Sequence, residues 1–159
     1  MADSSDTPVT SVPSRGRLLG IDFGTKRLGF AICNPEQTIA TPMENYTRQG
    51  AVQDARHLRR LIDDEKIVGL VVGLPVYMSG DEGGQAREAR AFGGWIATET
   101  NLPVTYWDER YTSLQAEQLL MSAELTSKKR KARRDMLAAQ ILLQGFLDGD
   151  RQTTAFGSV

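Results

Sequence analysis

The alternation of apolar and polar positions becomes regular at Arg17, after sixteen residues without it. Leu18-Leu19-Gly20-Ile21 is a short apolar run that ends on Asp22, the pattern of a buried strand. The glycine-bearing turn Phe23-Gly24-Thr25-Lys26 follows, and Leu28–Cys33 reads as a second strand, so the two form a hairpin. Asn34-Pro35 marks a turn, and Thr38–Tyr46 is a third strand whose Pro42 assigns it to a sheet edge. The period then changes. Ala51, Ala55, Leu58 and Ile62 share one face of a helix over 51–65, and Ile67–Gly73 is apolar without alternation, as in a strand covered on both sides.

Leu74–Gly84 carries one proline and three glycines and is expected to be a mobile loop. A helix over 85–100 presents the small residues Ala86, Ala89, Gly93 and Ala97, which allow close approach to a sheet. Pro103 opens a fifth strand, Val104–Asp108. Thr112 with Gln115 forms a capping box for a short helix to Ser122. Met136, Ala139, Leu143 and Phe146 mark a last helix, opened by Asp135 and ending near Gly149.

The order β-β-β-α-β-α-β-α-α gives an antiparallel meander followed by two strands reached through helical crossovers. The expected fold is α/β, a mixed five-stranded sheet flanked by helices. Ligands on such sheets gather at the carboxyl ends of parallel strands, where Asp22, Asp108 and Glu109 fall. Residues 17–149 make one domain, between a disordered tail at 1–16 and a polar tail at 150–159.

Composition narrows the function. No apolar run approaches the ~20 residues of a membrane span. A single cysteine, Cys33, excludes an internal disulfide, and no secretory leader is visible, so a cytoplasmic protein is expected. The net charge of −1 hides an uneven distribution. Lys128, Lys129, Arg130, Lys131, Arg133 and Arg134 fall in one window without an acid, leaving 13 basic against 20 acidic residues elsewhere. That run fits either a local anionic partner or a solvated segment.

Three acids stand out by position: Asp22 after a buried strand, Glu109 at the end of the last strand, and Asp135 after the basic run. Carboxylates drawn together from distant segments repel one another unless a cation neutralises them, and oxygen ligands suit Mg²⁺ or Mn²⁺. Two such ions can activate water and stabilise the leaving oxygen of a phosphodiester. Each acid also has a plainer role: Asp22 in starting a turn, Asp108 and Glu109 as solvated strand ends, Asp135 at the positive end of a helix dipole. His57, one position off an apolar helix face, reads as a surface residue, and Cys33 as core. Neither a Walker A motif nor a Gly-x-Ser-x-Gly elbow is present.

Four segments resemble, in order, the motifs of the YqgF (RuvX) family. They are Gly20-Ile21-Asp22-Phe23-Gly24-Thr25-Lys26-Arg27-Leu28-Gly29, Val72-Gly73-Leu74-Pro75, Asp108-Glu109-Arg110 with Thr112-Ser113, and Asp135-Met136-Leu137-Ala138-Ala139 with Ile141-Leu142. The resemblance spans Gly16 to Asp148. It implies a ribonuclease-H-like fold related to Holliday-junction resolvases, and a role in processing the 5′ end of pre-16S ribosomal RNA. It assigns Asp22, Glu109 and Asp135 as catalytic metal ligands, with Lys26 and Arg27 holding substrate phosphates. Arg110 would do the same or orient Glu109, and Arg134 extends the basic patch (Lys128, Lys129, Arg130) up to the site. The expected partner is structured RNA or branched DNA, and the oligomeric state, monomer or homodimer, stays open. The alternatives are a four-way-junction resolvase, a nucleotide-binding module cradling phosphate at Gly24-Thr25, and a non-catalytic RNA-binding protein.

Overall fold

The computed structural model describes residues 11–75, 79–109 and 127–149, with side chains in the last stretch from Met136 onward. Five strands form one sheet: β1 (Arg17–Phe23), β2 (Arg27–Cys33), β3 (Ala40–Thr47), β4 (Ile67–Leu74) and β5 (Val104–Asp108). Among the described residues three helices cover it: α1 (Ala51–Glu65), α2 (Gly84–Thr100) and α3 (Ser127–Asp148). The spatial order is β3-β2-β1-β4-β5, with β2 antiparallel to both neighbours and β1, β4 and β5 parallel. The meander and the two crossovers are therefore as the periodicity predicts. Pro42 lies on the edge strand β3, beside a register shift opposite Phe30 and Ala31, so its missing donor interrupts nothing central.

Alternation along each strand divides the interior into two cores. Leu19, Ile21, Phe30, Leu70 and Val72 face α1 and α2, where they meet Leu58, Ala86, Ala89, Phe92 and Ile96. Leu18, Ala31, Val71 and Trp107 face α3 through Ala139, Leu142, Leu143 and Phe146. Two glycines let helices close on the sheet. A Cβ on Gly20 would stand 2.8 Å from the Leu143 Cβ and 3.2 Å from the Ala139 carbonyl, and one on Gly93 would collide with the Tyr106 ring. Among the described residues, no helix is long and apolar enough to cross a membrane.

Several expectations change. The last helix starts at Ser127, so Asp135 lies in its third turn and cannot act at the helix dipole's positive end. Strand β4 keeps Leu74, and the 74–84 segment is shorter at both ends than expected. His57 is half-buried: its ring stacks on Tyr46 at 4.2 Å, and its Nε2 lies 2.9 Å from Glu44. The end of the N-terminal segment is anchored, since the Gln37 side-chain amide donates to the Pro13 and Gly16 carbonyls and Val12 packs over Gly69. The short helix expected at 112–122 lies outside the described residues.

Candidate active site

The parallel register places two acids on one rim. Asp22 is the penultimate residue of β1, and its register partner on β2 is Gly29. Ile21 pairs with Val72, so continuing by one residue sets Gly73 on the other side of Asp22. Asp22 thus stands between two glycines, neither of which places a side chain of its own beside it. Glu109 follows β5 directly, and its carboxylate fills the space above Gly73, where a Cβ would collide with Glu109 Oε2. The missing side chain at Gly73 is what lets Glu109 lean across β4 toward Asp22.

The two carboxyl groups are chemically coupled. Glu109 has its pKa pushed up to about 9, first by burial, then by the charge of Asp22, a hydrogen bond with Asp22 and the charge of Asp108. Bringing both acids to full ionisation therefore needs positive charge between them. Asp108 itself is buried at the end of β5.

The backbone of α3 enters from the same side. Gln140 donates to the Ala40 carbonyl, while Gln144, one turn later, reaches the Ala40 amide and the Thr38 carbonyl. Helix α3 thus descends toward the start of β3, and its N-terminal turns rise toward the rim. Residue 135 precedes Ala139 by one turn, about 6 Å along the axis. Asp22 lies two strand residues beyond Gly20, about 6.7 Å in the same direction. Because Gly20 packs against Ala139, the backbone brings position 135 level with Asp22. The Asp135 side chain lies outside the description, and among the described residues no three His, Cys, Asp or Glu side chains form a metal-sized group.

Beside Asp22, residues Phe23–Arg27 and Gly29 line an open cleft of about 290 Å³. Lys26 at its lip is exposed and Arg27 is half-buried. Arg110 and the side chains of Lys128, Lys129, Arg130 and Arg134 lie outside the described residues, although the α3 backbone carries the last four. Sequence reasoning missed Asp54 and Arg48, which brace this turn from behind. Asp54 is a polar residue on a helix and Arg48 lies in the connection between β3 and α1, and no periodicity marks either.

The profile of the RuvX family, described as a Holliday junction resolvase, matches residues 16–149. The chain belongs to the RuvX family. A "Putative pre-16S rRNA nuclease" of Rhodopirellula baltica is 37% identical over 151 residues, covering 95% of this chain and 87% of that one. Its namesake from Bradyrhizobium diazoefficiens is 41% identical over 139 residues, covering 87% and 86%. Among solved structures, Thermus thermophilus RuvC in complex with a Holliday junction substrate aligns with a TM-score of 0.53 at 17% identity, covering 87% of this chain and 97% of that one. That likeness concerns the fold, which is ribonuclease-H-like. This RuvX chain is thus a member of a nuclease family, and phosphodiester hydrolysis is the chemistry of its class.

Proposed function

We propose that this RuvX chain is a divalent-metal-dependent endonuclease acting on structured RNA, with the 5′ leader of pre-16S ribosomal RNA as its substrate. In this reading Asp22, Glu109 and Asp135 hold one or two Mg²⁺ or Mn²⁺ ions. The observation that carries it is the meeting of Asp22 and Glu109 over the bare Gly73. Two all-oxygen donors that resist joint ionisation suit a hard cation, and Asp135 would complete the set from α3. Bound metal would supply Lewis-acid charge and a more acidic water at the scissile phosphate. Lys26 and Arg27 would hold a substrate phosphate at the cleft lip. Arg110, Lys128, Lys129, Arg130 and Arg134 would contact the backbone on either side, positioning it without reading sequence.

A second reading keeps the chemistry and takes a four-way DNA junction as substrate. It is supported by the family's description and by the fold shared with RuvC. The names of the curated relatives favour RNA.

The deciding experiment incubates parent and Asp22→Asn protein with a pre-16S leader transcript and a four-way junction, with Mg²⁺ or Mn²⁺. The expected result is metal-dependent cleavage of the leader by the parent and loss of at least ~10³-fold in the variant, the scale of removing a core catalytic group. Cleavage of the junction alone would transfer the assignment to a resolvase. Binding without cleavage by the parent would leave an RNA-binding protein, and equal rates for both proteins would remove Asp22 from the site.

A further inference from the structure

Asp54, in the first turn of α1, has a side chain with no exposure to solvent and three donors around it. Its Oδ1 accepts from the Tyr46 hydroxyl and the Gln49 amide, both at 2.8 Å, and its Oδ2 accepts from Arg48 Nε at 3.0 Å. Burial opposes the charge, but the Gln49 amide, Arg48 and Tyr46 together hold the carboxyl below its usual range. Fastening the start of a helix needs one such bond. Burying the Asp54 carboxylate completely, beside a guanidinium that is itself mostly covered, is costly, and as a helix cap alone it is out of proportion.

The pair's other contacts lie at the glycine turn. Arg48 Nη1 donates to the Gly24 carbonyl at 3.3 Å, and the Arg48 amide donates to the Lys26 carbonyl at 2.9 Å. The guanidinium also sits 5.5 Å from the Phe23 ring centre and 5.7 Å from that of Phe92. Arg48 is therefore wedged between an aromatic pair and a carboxylate while holding two carbonyls of the segment that follows Asp22. In a trans planar peptide the N–H points opposite to the C=O. Tying back Gly24 and Lys26 therefore turns the Thr25 and Arg27 amides away from Arg48.

We infer that Arg48, locked by Asp54, is a positioning residue that holds the Gly24–Arg27 turn as a rigid cradle for a substrate phosphate beside Asp22. The inference rests on the nuclease reading above for the nature of the ligand. It touches no reacting atom itself; it acts through the turn.

The test compares parent, Arg48→Lys and Tyr46→Phe proteins by amide hydrogen exchange and by cleavage of the leader transcript. Lysine keeps the charge beside Asp54 but lacks the planar fork that reaches two acceptors at once. In Arg48→Lys, exchange at Thr25–Arg27 should quicken about tenfold or more while the β1 and β4 amides keep parental rates, and kcat should fall about tenfold or more, the scale of a small misplacement at a site. Tyr46→Phe removes one donor from Asp54 yet leaves the turn tied, so both readouts should stay near parental. Parental exchange at the turn in Arg48→Lys, or faster exchange with parental kcat, would overturn the inference. If Arg48→Lys does not fold, the double replacement Arg48→Met, Asp54→Leu exchanges the ion pair for apolar volume, and an unchanged turn there would overturn it equally. If Asp22→Asn cleaves at the parental rate, the nuclease reading falls separately, and exchange at the turn alone then decides the role of Arg48.

Discussion

Glu109 shows how far a site's chemistry can depend on a residue with no side chain. An acid whose pKa is raised in the folded protein holds its proton more tightly folded than unfolded. Below about pH 4.5 both states are protonated and nothing is lost; between there and about 9 the folded state is progressively penalised. The metal-free Glu109→Gln protein should therefore be more stable than the parent by roughly 1–3 kcal/mol at pH 8, with the gain vanishing toward pH 4. Urea denaturation in the presence of a chelator measures this, and a gain independent of pH would show that burial and the neighbouring acids do not raise the Glu109 pKa. Gly73 gives the complementary prediction. In Gly73→Ala the new methyl meets the Glu109 carboxylate, the movable end of a side chain, so the fold should survive. Leader cleavage should drop about tenfold or more as Glu109 is displaced from Asp22. Parental kcat in that variant would mean that the approach across β4 is dispensable.

At the scale of elements, the sheet and α3 are joined through a glycine. In Gly20→Ala the added Cβ has the Ala139 carbonyl and the Leu143 Cβ above it, and neither moves without the helix. The variant should lose about 1–3 kcal/mol in urea denaturation, and cleavage should weaken as α3 lifts from the rim. Unchanged stability would show that α3 slides freely over β1. The same elements show what was legible in the chain. Strands β1, β2 and β4 and helix α1 announce themselves because burial on one or both faces leaves a period in the sequence. The first two turns of α3 leave none. Residues 127–134 are nearly all charged, and helix propensity and backbone hydrogen bonding extend the helix there without an apolar stripe. Asp22 and Glu109 were legible because topology alone sends strand ends to one rim. Asp54 was not, since its burial depends on donors from Tyr46, Arg48 and Gln49, which only the folded chain brings around it. His57 was misread for the same reason: its partner Glu44 comes from an edge strand rather than from its own helix.

For the molecule as a whole, charge is concentrated in one place. The helix that faces the β1 rim carries six basic residues in its first turns, on a chain otherwise in acidic excess. Neutralising Lys128, Lys129 and Arg130 should flatten the dependence of leader binding on salt, lowering the slope of log K against log salt by about 1 per lost phosphate contact. An unchanged slope would return the run to a solvated role. Among the described residues, α3 is the helix that covers its side of the sheet, with Val12 packing beside it, and it is the last described element of the chain. Domains fold as units while the chain is made, at ~5–20 residues per second. A nascent chain that has emerged only as far as β5 already has the five described strands, yet lacks the helix that packs behind Asp22. In the proposed nuclease, Asp135 would thus join Asp22 and Glu109 only once α3 has been made.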